Sequence, residues 1–215
     1  MTRRNQRRAT LARIVVAITG LLALLTGAPS IAQAPPTAER GVAIFAGGCF
    51  WCMEPPFDKL DGVTATISGY TGGTKADPTY KEVTSGTTGH YEAVRIEYDP
   101  ARITYERLLE VFWHNIDPLD GIGQFCDKGS QYLSAIFVLD DRQRALAEAS
   151  KAALEKSGKL PGRIVTRILP SATFYPAEDY HQDYYRKNPL KYAFYRRGCG
   201  RDARLEQLWG PPATQ

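Results

Sequence analysis

Short apolar or alternating stretches predict five β-strands in this chain. They lie at 42–46, 63–68, 91–98, 134–139 and 163–169. Stretches of this length, bounded by Gly, Pro, Asn or Asp, are typical of strands.

Apolar residues recur at helical spacing between some of these strands. The stretch 105–113 carries such a stripe and follows Thr104, and an Ala-rich stretch that ends at Lys156 follows Asp140 and Asp141. Because Thr and Asp are favoured N-caps, each stretch is predicted to be a helix.

A further helix is predicted after the first strand, and two prolines decide where it begins. Pro55 and Pro56 have no backbone N–H, so the helix is predicted to start between Met53 and Pro55, or to be distorted if it starts at Cys49. It is predicted to end at about Leu60.

The remaining segments are predicted to be mostly irregular. Residues 69–89 and 117–131 read as long glycine-bearing loops, of the kind that is usually functional or disordered. Residues 174–185 read as a loop that runs into a short helix, and 205–209 as a last helical turn.

The core order is therefore strand, helix, strand, strand, helix, strand. This is the split βαβ, or ferredoxin-like, arrangement, here with one extra helix and one extra strand. The predicted fold class is α+β, a two-layer sandwich.

The first 34 residues have the pattern of a secretory signal peptide. Five arginines precede an apolar run at 14–28. The run is followed by two small-x-small sequences, which end at Ala32 and Ala34 and are typical of a cleavage site. The run is shorter than the about 20 residues that span a bilayer. We therefore expect cleavage near Ala32 or Ala34 and export to the periplasm, with a membrane anchor as the alternative if the leader is retained. Residues 35–215 then form a single domain.

The leader also accounts for the basic charge of the chain. It holds five of the 27 basic residues and none of the 23 acidic ones, which leaves 22 basic against 23 acidic residues. A nearly neutral domain gives no reason to expect nucleic acid or an anionic membrane as partner. We expect a monomer with no stable membrane association after cleavage.

The sequence Gly47-Gly48-Cys49-Phe50-Trp51-Cys52 carries the candidate chemistry. Two glycines permit a tight turn, and a thiol that a strand delivers to a helix N-terminus is expected to favour the thiolate. Phe50 and Trp51 are either core aromatics or the wall of an apolar pocket for a small methyl-bearing group.

The four cysteines allow three interpretations. Two structural disulfides would suit an exported binding domain, whereas Cys49 and Cys52, three apart beside a turn, suit a reactive redox pair. Zinc is disfavoured because Cys126 and Cys199 stand alone and the three histidines show no ligand spacing. Cys199 lies between two glycines in a late tail whose backbone is expected to be free to move, which suits a resolving thiol.

Glu92 has an unusual place in the strand 91–98. The period of two puts it on one face with Val94 and Ile96. Burial there would raise its pKa, so that the carboxyl is protonated near neutral pH. The alternative is a solvated position at the end of the strand.

Motifs along nearly the whole mature chain resemble the type A peptide methionine sulfoxide reductases. The matches are Gly47-Gly48-Cys49-Phe50-Trp51, Gly69-Tyr70-Thr71-Gly72-Gly73, Pro78-Thr79-Tyr80-Lys81-Glu82-Val83, Thr88-Gly89-His90-Tyr91-Glu92-Ala93-Val94, Tyr98-Asp99-Pro100, the run from Gly123 to Tyr132, and the run from Phe174 to Gln182.

The resemblance implies thiol-dependent reduction of methionine S-sulfoxide, free or in proteins, with no bound cofactor. By similarity, Cys49 attacks the sulfoxide sulfur and Glu92 protonates its oxygen. Tyr80 and Tyr132 hydrogen-bond that oxygen, Asp127 helps to order the site, and Phe50 with Trp51 receive the ε-methyl group.

The same resemblance implies how the cycle closes. Cys49 becomes a sulfenic acid and condenses with a second thiol, and a thioredoxin-like reductant clears the disulfide. Many family members have glycine in place of Cys52, so both Cys199 and Cys52 are candidates for the resolving cysteine. We favour Cys199, and we expect Cys126 to be structural. The alternative function is a general thiol–disulfide oxidoreductase that uses Cys49-x-x-Cys52.

Overall fold

The computed structural model describes residues 40–211. Its strands are β1 (Gly41–Gly47), β2 (Val63–Thr71), β3 (Tyr91–Tyr98), β4 (Gly123–Gln124), β5 (Asp127–Lys128), β6 (Ser134–Val138), β7 (Arg167–Pro170) and β8 (Tyr175–Pro176). Its helices are α1 (Phe50–Asp58), α2 (Tyr80–Thr84), α3 (Tyr105–Trp113), α4 (Asp141–Lys156), α5 (Tyr184–Lys187), α6 (Pro189–Gly198) and α7 (Arg201–Trp209), with a 3-10 turn at Ser130–Tyr132.

The main sheet has the strand order β7-β6-β1-β3-β2-β8. Its middle four strands pair antiparallel, and α1 follows β1 while α3 follows β3. This order and these connections are the split βαβ arrangement, so the predicted fold is confirmed. The extra helix and strand are α4 and β7, and β7 pairs in parallel with β6.

The helices α1, α3 and α4 pack against one face of the sheet. Phe45 of β1 lies between Phe57 of α1 and Phe112 of α3, with ring centroids 5.7 and 4.9 Å away. Val94 and Ile96 of β3 join the same core, while Ala93 belongs to a separate cluster on the other face. The predicted phase of β3 is therefore confirmed.

The predicted start of α1 was wrong. The helix begins at Phe50, with Cys49 as its N-cap, and holds Pro55 and Pro56 inside its second turn. The amide of Cys52 donates to the carbonyl of Cys49 at 3.0 Å, which closes the first turn. The prolines remove two later backbone bonds, but burial of one helix face on the sheet holds the nine residues helical.

Several predicted boundaries also shift. Strand β2 continues to Thr71 because it stays paired with β3 up to Tyr91. The predicted strand 163–169 is reduced to β7, because its first half turns away and the amide of Val165 donates to the carbonyl of Pro118. The loop 69–89 contains α2, which a capping box of Thr79 and Glu82 starts.

The carboxyl-terminal segment differs most from the prediction. It forms α5, α6 and α7, and Cys199 lies at the junction between the last two helices. The expectation of a freely moving tail around Cys199 was therefore wrong. Helix α6 was not predicted, because its aliphatic and phenyl side chains Leu190 and Phe194 form no inward stripe and are exposed.

Within residues 40–211, no helix is long and apolar enough to cross a bilayer. The predicted signal peptide lies outside the described residues.

Candidate active site

A two-glycine turn carries the candidate nucleophile from β1 into α1. Gly48 has a φ of +80°, and a Cβ atom there would lie 2.6 Å from the Cβ of Gln124. A Cβ atom on Gly47 would lie 2.6 Å from the sulfur of Met53. Only glycine fits these two positions, and the turn leaves Cys49 at the helix start with 6% of its surface exposed.

Glu92 faces this turn from the neighbouring strand. Its side chain is 1% exposed, and its Oε2 accepts a hydrogen bond from the amide of Phe50 at 3.2 Å. Burial raises the pKa of Glu92 to about 8, against the opposing effect of the Phe50 amide, and the negative charges of Asp127 and Cys52 raise it further. The predicted burial of Glu92 is confirmed, and the raised pKa favours a protonated carboxyl near neutral pH.

Cys49 and Cys52 are buried free thiols that share a hydrogen bond. Burial raises the pKa of Cys49 well above its ordinary value, and Cys52 and Glu92 add to the rise. The hydrogen bond from Cys49 lowers the pKa of Cys52 to about 6, with help from Arg201 and Arg196. Within the pair, these effects favour the negative charge on Cys52 over Cys49.

This distribution contradicts the expectation that the helix start favours the Cys49 thiolate. The dipole of a nine-residue helix stabilises a negative charge at its N-terminus only modestly. Loss of hydration on burial acts in the opposite direction and is larger here.

Tyr80 and Tyr132 both lie near enough to Glu92 for its charge to act on them. Tyr80 begins α2 and Tyr132 ends the 3-10 turn. Burial raises the pKa of Tyr80 to about 12 and also raises that of Tyr132, and the charge of Glu92 contributes to both. Both hydroxyls therefore stay protonated, and each can donate a hydrogen bond to a ligand oxygen.

Asp127 is linked to the cysteines through a residue that the sequence analysis missed. Tyr195 of α6 donates a hydrogen bond from its hydroxyl to Asp127 Oδ2 at 2.5 Å, and Tyr195 also acts to lower the pKa of Cys49. Tyr192 and Tyr195 lie at helical spacing in the tail. This spacing was the available signal for a helix at these residues.

Aromatic rings converge on His181 beside the turn. Trp51 donates from Nε1 to His181 Nδ1 at 3.0 Å and stacks on Tyr184 with 3.8 Å between centroids. Phe50 and Tyr80 lie 4.9 and 4.4 Å from the imidazole. Burial lowers the pKa of His181 to about 4, so the ring is neutral and belongs to an apolar wall.

Cys199 is bonded to Cys126 in a disulfide. While that bond stands, Cys199 has no thiol with which to attack Cys49, so the preference for it as resolving cysteine does not fit this structure. The structural role expected for Cys126 stays a prediction. The two sulfurs and Asp127 lie within 4.8 Å of one another, but disulfide sulfurs are poor metal ligands because only a thiolate binds strongly.

A family model described as peptide methionine sulfoxide reductase matches residues 41–212. A relative named peptide methionine sulfoxide reductase MsrA, from Halalkalibacterium halodurans, is 56% identical over 78% of this chain and 96% of its own length. MsrA 2 of Caulobacter vibrioides is 52% identical over 92% of this chain and 98% of its own.

Solved structures show the same likeness. Mxr1 from Saccharomyces cerevisiae in reduced form has a TM-score of 0.65 and 33% identity, over 74% of this chain and 90% of its own. Methionine sulfoxide reductase A of Corynebacterium diphtheriae has a TM-score of 0.64 and 35% identity, over 72% and 78%.

Proposed function

Because the chain belongs to the peptide methionine sulfoxide reductase family, of type A, we propose a route by which its own residues perform the reaction. The protein is an oxidoreductase that converts methionine sulfoxide to methionine. The roles of individual residues, the electron donor and the location are the proposal.

The first step is transfer of the sulfoxide oxygen to Cys49. Cys49 passes its proton to Cys52 and attacks the sulfoxide sulfur, while Glu92 protonates the oxygen. The protonated oxygen then moves to the Cys49 sulfur: the S–O bond of the substrate and the transient bond between the two sulfurs break, methionine leaves, and Cys49 becomes a sulfenic acid. A neutral carboxyl is needed because the unprotonated oxygen is a poor leaving group, and Tyr80 and Tyr132 donate hydrogen bonds to it.

The second step is resolution by Cys52. Its sulfur attacks the Cys49 sulfur, the Cys49 S–O bond breaks, and the hydroxide leaves as water with the proton that Cys52 held. This choice is supported because Cys52 is a buried free cysteine three residues from Cys49, at the start of the same helix. A thioredoxin-like dithiol then reduces the Cys49–Cys52 disulfide by exchange.

The aromatic wall around His181 provides the substrate site in this proposal. Phe50 and Trp51 line it, and their apolar surface favours the ε-methyl group of the substrate over water. Asp127 acts through Tyr195, which it holds against Cys49.

The observation that carries the proposal is the buried Glu92 carboxyl, which faces the Cys49–Cys52 pair with a pKa of about 8. It is tested with purified protein and dithiothreitol on separated S and R diastereomers of free and peptide methionine sulfoxide. We expect reduction of the S forms only, and none by Cys49→Ser. Reduction that persists in Cys49→Ser would contradict it, as would insulin-disulfide reduction without sulfoxide turnover.

The proposed setting is the periplasm, where the enzyme repairs oxidised proteins as a monomer. The basic and apolar pattern of residues 1–34 supports export. The molecular mass of the exported protein, measured in denatured and in native form, tests both the cleavage and the monomeric state.

A further inference from the structure

A serine of β2 is bonded to side chains from two segments that flank the aromatic wall. Ser68 is fully buried, and its hydroxyl donates to Oε1 of Glu54 in α1 at 2.8 Å. Its backbone amide donates to Oε1 of Gln182 at 2.9 Å, and its carbonyl accepts from Nε2 of Gln182 at 2.9 Å. One residue of the sheet therefore holds both α1 and the segment around Gln182.

The side chain of Gln182 takes the place of a strand at this point of the sheet. Strand β8 ends at Pro176, and the amide of the next residue, Ala177, still donates to the carbonyl of Ser68 at 2.8 Å. A continued antiparallel pair would also join the amide of Ser68 to the carbonyl of Ala177. Instead, Gln182 accepts from the first and donates to the second at 2.8 Å. Without this side chain, both backbone groups would lose their partner.

The turn that Gln182 fixes carries two side chains that contact Trp51. His181 precedes Gln182 and accepts a hydrogen bond from Trp51 Nε1 at 3.0 Å. Tyr184 follows two residues later and stacks on the indole, with 3.8 Å between centroids. The position of Gln182 therefore determines where these two rings meet Trp51.

Glu54 fixes the opposite side, because it lies on the same helix as Trp51 and follows it by three residues, or about one turn. Its side chain is 1% exposed, so its bond to Ser68 is shielded from water. Burial raises the pKa of Glu54 to about 7, and the backbone amide of Asp183, which follows Gln182, acts in the opposite direction. The two anchored segments thus lie close to each other at Ser68.

We infer that Gln182 and Glu54 are positioning residues that set the width of the methyl pocket, the space that the aromatic wall offers to the ε-methyl group. The inference rests on the proposed binding of the substrate at that wall. Both residues act through Trp51: Gln182 places the rings that contact the indole, and Glu54 places the helix that carries it. Because both are held by Ser68, the spacing is fixed, and a close-packed site of this kind is sensitive to a single methylene.

The test compares the S-sulfoxides of methionine and ethionine, whose ethyl group is larger by one methylene. One methylene in an apolar pocket changes kcat/KM by about 10- to 200-fold, and the protein is expected to prefer the methyl substrate within this range. Gln182→Met keeps the length of the side chain but has no amide, and it is expected to lower this preference severalfold. The change should be mainly in KM, because the methyl group is bound alike in the ground and transition states.

Gln143 in the first turn of α4 is the matched control. Its Oε1 accepts from the amide of Leu139 at 3.1 Å, and its Nε2 donates to the carbonyl of Val42 at 2.7 Å. Gln143→Met therefore loses backbone contacts of the same kind, but its substrate preference is expected to equal that of the unaltered protein. An equal fall in both variants would indicate a general loss of packing and would overturn the inference.

Ser68→Ala tests the anchor from the side of α1, and it replaces Gln182→Met if that variant does not fold. It removes the hydroxyl that holds Glu54 and keeps the backbone groups that bind Gln182, and the preference for methyl is expected to fall. Glu54→Gln still offers an oxygen to the hydroxyl and is expected to retain the preference. An unchanged preference in Ser68→Ala, or an equal fall in Glu54→Gln, would contradict the shared anchor.

A second readout follows Trp51 without substrate. The chain has three tryptophans, so the emission of Trp51 is the difference between each protein and its Trp51→Phe counterpart. Gln182→Met is expected to make this emission more accessible to quenching by acrylamide, because the indole loses its fixed neighbours, whereas Gln143→Met is not. Unaltered quenching in Gln182→Met would contradict the positioning role.

The outcomes separate this inference from the proposed function. Failure to reduce either sulfoxide would contradict the reductase route, and equal kcat/KM values for the two substrates in the unaltered protein would contradict the methyl site. A clear preference for methyl that both Gln182→Met and Ser68→Ala leave intact would overturn only the positioning role.

Discussion

Glu92 shows how one residue sets the pH range of the reaction. Its carboxyl must be protonated to act as an acid, and burial raises its pKa to about 8. Turnover is therefore expected to fall as pH rises through about 8. Glu92→Gln should reduce kcat by roughly 10²- to 10⁴-fold and abolish that alkaline limb. Full activity of Glu92→Gln in a pH series would remove Glu92 from the mechanism.

Glu92 is also expected to make the free energy of unfolding depend on pH. A carboxyl whose pKa is raised on folding stabilises the fold below its unfolded value of about 4.3, and this contribution is lost as pH rises through about 8. Glu92→Gln should remove that loss. Denaturant titrations at a series of pH values measure it, and an identical pH dependence in the two proteins would argue against a buried, protonated carboxyl.

Tyr80 and Tyr132 are expected to act on the sulfoxide oxygen as a pair. Loss of one oxyanion-type donor costs roughly 10²–10³ in kcat, so Tyr80→Phe and Tyr132→Phe should each lower kcat, and the double variant by less than the product if the two share one oxygen. Tyr98→Phe is a matched control, because Tyr98 lies at the far end of β3. An unaffected kcat in both single variants would contradict the roles.

At the scale of single residues, the sequence predicted which face a side chain occupies but not its protonation state or its distant neighbours. The strand period placed Glu92 on the buried face, and the structure confirms it. The protonation of Cys49 was not predictable, because it depends on burial and on Cys52. Tyr195 and Arg201 were missed, since they reach the site from α6 and α7, helices that follow the site by about 150 residues of chain.

At the scale of elements, the Cys126–Cys199 disulfide ties the β5 hairpin to the junction of α6 and α7. It closes 73 residues of chain, so the double variant Cys126→Ser with Cys199→Ser should lose about 2–5 kcal/mol of unfolding free energy. Turnover with dithiothreitol should persist in that variant, because Cys52 remains. Loss of turnover with unchanged stability would instead assign Cys199 to the redox cycle.

The elements also show where local patterns suffice. The caps at Thr104 and Asp140 are present as predicted, and the strand order follows from the alternation of strands and helices. The start of α1 was wrong because the proline rule describes an isolated helix, whereas here packing against the sheet outweighs two lost backbone bonds.

At the scale of the whole molecule, the described residues 40–211 contain the complete set of predicted catalytic groups around one turn. Protein that begins at residue 35 is therefore expected to fold and to match the full chain in kcat/KM. Intact mass of the chain recovered from the periplasm should show that residues 1–32 or 1–34 are gone. Full-length protein retained in membranes would contradict cleavage.

The most direct test of the central claim is the disulfide that forms after one turnover. Protein with the Cys126–Cys199 bond intact is mixed with one equivalent of methionine S-sulfoxide, alkylated and digested for mass spectrometry. The proposed route predicts one methionine released and a new Cys49–Cys52 disulfide, with Cys126–Cys199 unchanged. A disulfide from Cys49 to Cys199, or methionine released while Cys49 remains a free thiol, would contradict it.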